Sequence, residues 1–167
     1  SSYEVSDDVS FLAMHLSSIM TYATDKVVVD TEFLKQFKKC KLVQTVQLTS
    51  INSVEINFKL IGVVYVVYDN RSNKSNHYVA HAIRGGKWYL FDDNRKREEE
   101  EDVVYNMNPT SEGETLYAPY MFFYARDDYK GIPFVSGIPN SSLACYLNAL
   151  LQCLMPALLT LLPKNGS

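Results

Sequence analysis

Near the start of the chain the apolar positions Val9, Leu12, Leu16, Ile19 and Met20 repeat on one face of a 3.6-residue period. Ser6 stands where a cap belongs, and Asp7 and Asp8 follow where a helix dipole favours negative charge, so a helix is predicted here. A shorter helix is predicted over Thr31–Lys39 after Asp30, burying Phe33, Leu34 and Phe37. The period then changes. Residues 41–48 and 54–60 alternate, and residues 61–68 form a continuous β-branched and aromatic run, which predicts strands. Residues 69–76 read as a polar, turn-rich loop. Residues 78–83 and 87–91 are expected to form a hairpin around Arg84-Gly85-Gly86, and residues 120–124 one more strand. The charge run 95–102 between them reads as a solvated loop. After a stretch containing Gly and Pro, a helix is predicted from near Ala144 towards the end. Helices at both ends around a block of antiparallel strands make an α+β layout.

Composition narrows the function classes. At 167 residues with 47% apolar and 21% charged residues, the chain suits one globular domain and excludes a disordered tail. A net charge of −3 without a basic stripe argues against a nucleic-acid partner. The most apolar stretch, residues 143–162, is interrupted by Asn148, Gln152 and Pro156, so a buried helix is expected rather than a membrane span. Cys40, Cys145 and Cys153 form no CxxC pair and leave an odd count, which argues against a disulfide framework or a four-cysteine zinc site. A reducing, cytoplasmic compartment is the expectation. The first residues lack a signal peptide and an initiating Met, as expected of a domain cut from a longer chain.

Three segments carry candidate chemistry. A nucleophilic cysteine needs a base, an orienter for that base and donors for a developing oxyanion. Cys145 falls where a helix is predicted to begin, a position that stabilises a thiolate, although a free cysteine is more often a buried packing residue. His77 and His81 share one face of a predicted strand. Asp92-Asp93 closes the next strand, where a hairpin can bring Asp92 beside His77; in isolation the same residues read as a turn.

Together these segments resemble the ubiquitin-specific proteases, a papain-like cysteine peptidase family. Residues 137–152, GIPNSSLACYLNALLQ, look like the family's Cys box. Asn76-His77-Tyr78-Val79-Ala80-His81 with the later Trp88-Tyr89-Leu90-Phe91-Asp92-Asp93 looks like its His box, and residues 119–124 resemble its closing strand. Residues 7–12 weakly resemble the second box, which in the family begins the helix after the Cys helix. The order departs from the family, because the second box comes first and the Cys box last. A circular permutation explains this; an engineered permutant, a swapped fragment or a junction of tandem domains would give the same order. The expected architecture is thus one permuted papain-like domain over residues 1–167. Its parts are a helical segment 1–40, a sheet segment 41–124, a connector 125–136, and a Cys loop with nucleophile helix over 137–167. The family's zinc-binding CxxC pairs are missing, and the size is nearer to small viral papain-like proteases.

The resemblance implies roles: Cys145 as nucleophile, His77 as general base, Asp92 as its orienter and Asn140 as oxyanion donor. Asp93 is the alternate orienter, and His81 is structural or substrate-facing. Ser142 replaces the family's Gly, and Leu143-Ala144 replace its usual polar pair, which bears on the oxyanion loop. The implied activity is a thiol deubiquitinase acting after the Gly-Gly tail of ubiquitin or a ubiquitin-like modifier, with no metal or organic cofactor. The rival readings are a viral protease processing its own polyprotein and a non-catalytic ubiquitin-binding pseudo-protease.

Overall fold

The computed structural model describes residues 5–16, 20–23, 26–39, 44–69, 74–107, 115–129, 131–132, 135–140 and 144–161. In chain order these form β1 (Phe11–His15), β2 (Met20–Ala23), β3 (Lys26–Val29), α1 (Thr31–Lys39), β4 (Thr45–Thr49), β5 (Glu55–Asp69), β6 (Lys74–Arg84), β7 (Lys87–Asp92), β8 (Arg95–Glu99), α2 (Glu101–Tyr105), β9 (Thr115–Arg126) and α3 (Cys145–Leu159). β1, β9, β5, β6, β7 and β8 lie side by side in that order, β4 also pairs with β5, and β2 with β3 makes a separate ribbon. Every ladder is antiparallel.

β5 is the spine. One edge pairs with β9, and the other pairs with β4 and then, from Gly62 onward, with β6. Alternation sends Val63 and Tyr65 to one face, where Phe58, Val79, Trp88, Leu90, Tyr124 and Val104 of α2 complete a core. Val64 points the other way and, with Ala80, Phe123 and Ala125, meets Ala149 and Cys153 of α3. Small residues let the helix sit close: a Cβ on Gly62 would lie 2.8 Å from Cys153 Sγ. Further along, Leu34 of α1 packs with Val66, Tyr68 and Ala118. Asp30 caps α1 by accepting the Phe33 N–H at 2.9 Å.

The α+β class, α1, the hairpin and α3 match the sequence expectations; other readings change. The expected Ser6-capped helix is a turn at Asp7-Asp8 followed by β1. Leu12 and Leu16 suit either period, and pairing with β9 decides in favour of a strand, with Leu12 and Leu16 on one core and Phe11 on the other. Ile19 lies outside the described residues. Segment 1–40 is therefore not simply helical: its described residues form three strands and one helix. The charge run is no loop either, since residues 95–99 form β8 on the edge of the sheet and residues 101–105 form α2. A charged strand is stable there because its backbone pairs with β7 while four of its five side chains stay in water. The runs 54–60 and 61–68, read as two strands, are joined in the single strand β5 (Glu55–Asp69), and Lys74–Asn76 belong to β6 rather than to a loop. No helix among the described residues is long and apolar enough to cross a membrane.

Candidate active site

The hairpin places the first pair. Ala80 pairs with Phe91, so one further step sets Asp92 opposite Val79, on the face that carries His77. His77 Nε2 and Asp92 Oδ1 lie 2.6 Å apart, with both side chains 40% exposed. The hydrogen bond to Asp92 raises the His77 pKa to about 9, against the opposing effect of partial burial. The Asp92 carboxylate and the hydrogen bond with Cys145 add to the rise. Reciprocally, the His77 hydrogen bond holds Asp92 below the usual carboxylate range. At neutral pH this pair is an imidazolium with its carboxylate.

Cys145 opens α3 and is largely buried. Its side chain hydrogen-bonds to His77. Ala144, the residue before the helix, offers no side-chain cap. Its N–H is taken instead by Asn140 Oδ1 at 3.0 Å. The structure therefore brings Cys145, His77 and Asp92 into one chain of contacts, with Asn140 folded back over the start of the helix.

Asp93 lies one residue beyond the His77 partner and does something else. Its left-handed backbone, φ 50°, swings its carboxylate towards the Cys loop. Oδ2 accepts from Asn140 Nδ2 at 3.2 Å and Oδ1 from Asn148 Nδ2 at 2.9 Å, while the Asp93 carbonyl accepts the Ile138 N–H at 2.9 Å. Gly137 passes so close to this turn that a Cβ would lie 2.3 Å from the Asn94 carbonyl oxygen. The turn after β7 thus holds His77 with one carboxylate and the Cys145 segment with the next.

His81 takes no part. It is fully buried, with Nδ1 2.9 Å from the Tyr65 hydroxyl and Nε2 3.1 Å from Glu99 Oε2, and desolvation lowers its pKa. Burial also pushes the Cys153 thiol up to about 12, which leaves it a packing residue. Cys40 lies outside the described residues. His77, Asp92 and Asp93 have candidate metal-ligand atoms within 4.8 Å of one another, but both Asp93 oxygens already hold asparagine amides.

Sequence reasoning passed over Asn148, Gln152 and Arg84. The two amides break the apolar run of α3, and at three and seven residues after Cys145 they share its helix face. Gln152 Nε2 donates to the Ser136 carbonyl at 2.8 Å, anchoring the connector. Pro156, inside α3, has no N–H for the carbonyl of Gln152 four residues earlier. Buried Arg84 supplies that donor, with Nη2 2.6 Å from Gln152 O and 3.0 Å from its Oε1.

The family model for ubiquitin carboxyl-terminal hydrolases matches residues 8–124. Among solved structures, the Saccharomyces cerevisiae PAN2 pseudoubiquitin-hydrolase–RNase module is 21% identical, with a TM-score of 0.54, over 76% of this chain and 21% of that one. The S. cerevisiae Pan2 pseudoubiquitin hydrolase–RNA exonuclease module in a complex with RNA is 20% identical, with a TM-score of 0.53, over 80% and 23% of the two chains. A chain of the SAGA Ubp8/Sgf11/Sus1/Sgf73 DUB module is 18% identical over 71% and 24%, with a TM-score of 0.47. The present chain thus spans less than a quarter of each of these proteins. No curated protein matches it in sequence.

Proposed function

The chain belongs to the ubiquitin carboxyl-terminal hydrolase family, and we propose that it is a thiol-dependent hydrolase cleaving the peptide or isopeptide bond after the Gly-Gly tail of ubiquitin or a ubiquitin-like modifier. The observation that carries this reading is His77 held between the Asp92 carboxylate and the Cys145 side chain. Transfer of the Cys145 proton to His77 leaves a thiolate paired with the imidazolium described above, and the sulfur attacks the carbonyl carbon after the tail. The tetrahedral oxyanion sits at the start of α3, where first-turn N–H groups lack intrahelical acceptors. Asn140 is the side-chain donor: its amide nitrogen carries two hydrogens, one of which Asp93 uses. The C–N bond then breaks, the leaving amine takes the proton from His77, and a thioester remains on Cys145. Water, deprotonated by His77, hydrolyses the thioester and the thiol is regenerated.

Three features support a permuted chain order. The family match ends at residue 124, before Cys145; the Cys box is last in the sequence; and Cys145 nonetheless reaches His77 of the same chain. The free thiols at Cys145 and Cys153 suit a reducing, cytoplasmic setting. The second reading, a ubiquitin-binding pseudo-protease, draws on the pseudoubiquitin hydrolases among its fold relatives and on Ser142-Leu143-Ala144 in the Cys box. The contact chain of Cys145, His77 and Asp92 favours the enzyme.

A ubiquitin probe with an electrophilic C-terminus separates the readings. Enzyme activity gives a covalent adduct mapped to Cys145, abolished in Cys145→Ala and retained in Cys153→Ala. Tight binding without an adduct identifies a binding module. Neither binding nor labelling leaves a protease of its own polyprotein, and an adduct on Cys153 refutes the nucleophile.

A further inference from the structure

The strand order of the sheet ends on β8 at one side and on β1 at the other, and the two edges are built differently. Every residue of β8 is charged, which guards a free edge against pairing with another chain. β1, Phe11-Leu12-Ala13-Met14-His15, holds no Lys, Arg, Asp, Glu or Pro, and its ladder has no bulge. Its even-numbered neighbours face β9: the Ser10 carbonyl accepts the Arg126 N–H at 3.1 Å, and the Leu16 N–H donates to the Tyr120 carbonyl at 2.8 Å. In an antiparallel ladder alternate residues turn the other way, so the N–H and C=O groups of Phe11, Ala13 and His15 point away from β9. Those groups have no hydrogen-bond partner among the described residues. The same edge carries uncovered apolar surface. Met14 is 44% exposed on one face of β1. On the other face a gap of about 110 Å³ is lined by Phe11 and Ala13 and by Leu154 and Ala157 of α3. α3 has no charged residue along its length, and Leu158, one turn after Leu154, is exposed, as is Leu161. A helix apolar all round calls for cover on every side.

We infer that β1 is a pairing edge for a second copy of this chain, the two strands running antiparallel about a twofold axis at Ala13. In that register Ala13 exchanges both N–H···O bonds with the partner's Ala13, and Phe11 does the same with the partner's His15. Every outward group of one strand meets its complement on the other. Leu12 comes opposite the partner's Met14, which covers the exposed methionine. Such an axis runs perpendicular to the sheet, so both α3 helices stay on one side, with Leu154 of each bordering the seam. The occupant is a second copy because the edge is its own complement. The register that pairs all outward groups maps β1 onto itself, and no charged residue of β1 or α3 meets its like across the axis. A ladder of this length falls short of the roughly 1,200–2,000 Å² that stable complexes bury in total, and the leucines of α3 extend it. His77 stands on β6, with β9 and β5 between it and β1, so the seam lies away from each site. The inference is independent of the hydrolase reading.

Sedimentation velocity between about 1 and 500 μM should show a reversible equilibrium of monomer and dimer. The Ala13 N–H faces away from β9, so A13P keeps the β1–β9 ladder and removes both bonds at the axis. It should weaken dimerisation about tenfold or more. A13K sets two ammonium groups face to face and should do the same, while A13K mixed with A13D should restore a dimer, now of one chain of each kind. In a Cys145→Ala background, oxidised A13C should cross-link to itself, because paired Cα atoms about 5.5 Å apart suit a disulfide. H15C should not, since His15 lies opposite the partner's Phe11. The Tm of each variant is read alongside, and if A13P lowers it by more than a few degrees, the mixture of A13K and A13D decides. A monomer at every concentration overturns the inference. So does a dimer that A13P and A13K leave intact, one that cross-links through H15C instead of A13C, or oligomers that keep growing with concentration.

Discussion

The helix that presents Cys145 contains Pro156, and the structure makes a quantitative statement about how it tolerates it. Pro156 leaves the Gln152 carbonyl without its helical donor, and Arg84 reaches across from the end of β6 to fill the position at 2.6 Å. Its other acceptors are Gln152 Oε1 at 3.0 Å and the Ile83 carbonyl at 2.9 Å, and its guanidinium lies 5.3 Å from the Phe91 ring centroid. Arg84→Met keeps most of the volume and removes every donor, stranding two buried acceptors on Gln152. Losing charge-assisted bonds of this kind costs about 1.5–3 kcal/mol, so a loss of about 3 kcal/mol is expected. Pro156→Ala restores an N–H at the right position. In the wild type that N–H competes with a donor already present and gains little. In the Arg84→Met background it meets an unpaired carbonyl and should recover about 1 kcal/mol. The assay is a double-mutant cycle by urea unfolding, with m-values checked for constancy. The expected signature is a favourable coupling of about 1 kcal/mol, compared with additivity within roughly 0.3–0.5 kcal/mol for independent sites. Additive effects, or an Arg84→Met cost under about 1 kcal/mol, would refute the substitution of Arg84 for the missing amide.

Three further outcomes follow from the site. His77 has a folded pKa of about 9, above its ordinary 6.5, so the stability its pairing adds is full below about pH 6.5 and is lost as pH rises through about 9. If the imidazolium form is the working one, kcat/KM falls over the same alkaline limb, and Asp92→Asn should move that limb towards 6.5; an unmoved limb removes Asp92 as the cause. Asp93→Asn should leave the limb where it is, because Asp93 bonds to Asn140 and Asn148 rather than to His77. Asp93→Ala should instead cost about 1–3 kcal/mol by leaving the buried Asn148 amide with the Ile138 carbonyl in place of its two acceptors, read as a drop in Tm with kcat falling more than KM changes. Gly137→Ala should also lower kcat, since its Cβ meets the Asn94 backbone at 2.3 Å; Ser136→Ala, one residue away, is the control that should not. A fully active, fully stable Gly137→Ala protein would show that the loop has room to move.

Much of this site was legible because it is local. The His77–Asp92 pairing follows from a hairpin whose turn, Gly85-Gly86, and strand alternation are both written in consecutive residues. Thr31–Lys39 announced itself by Asp30 and by Phe33, Leu34 and Phe37 at helical spacing. Residues 11–15 misled because Leu12 and Leu16 are four apart, a spacing that serves a helix face and a strand face equally; only β9 decides between them. In residues 95–99 the charge pattern does not distinguish a loop from an edge strand, which keeps its backbone ladder and solvates its side chains. Asn148 and Gln152 looked like interruptions of an apolar helix. Their spacing from Cys145 was the available signal that they share its face. Arg84 carried no such signal, because its role depends on Pro156, 72 residues later.

The turn after β7 shows how the proposed permuted order is compatible with a formed site. Asp92 ends the strand with its carboxylate on the His77 face, and Asp93, flipped by its left-handed backbone, directs the next carboxylate to Asn140 and Asn148. His77 and the Cys145 segment are therefore referenced to adjacent residues of one turn, and neither needs a covalent path of particular length to the other. Gly137 against Asn94, Gln152 on the Ser136 carbonyl and Ala80 beneath Ala149 and Cys153 then fix the approach of α3 by contact alone. The connection between β9 and the Cys loop is itself held at Ile132, which is buried and accepts the Gly85 N–H at 2.8 Å. Inserting a few flexible residues between Ile132 and Val135, with Ile132 kept on the Gly85 N–H, should alter stability slightly, through loop-closure entropy of under about 1 kcal/mol, and leave kcat nearly unchanged. A steep loss of kcat at retained Tm would mean that the connector, and not the turn after β7, sets the position of Cys145.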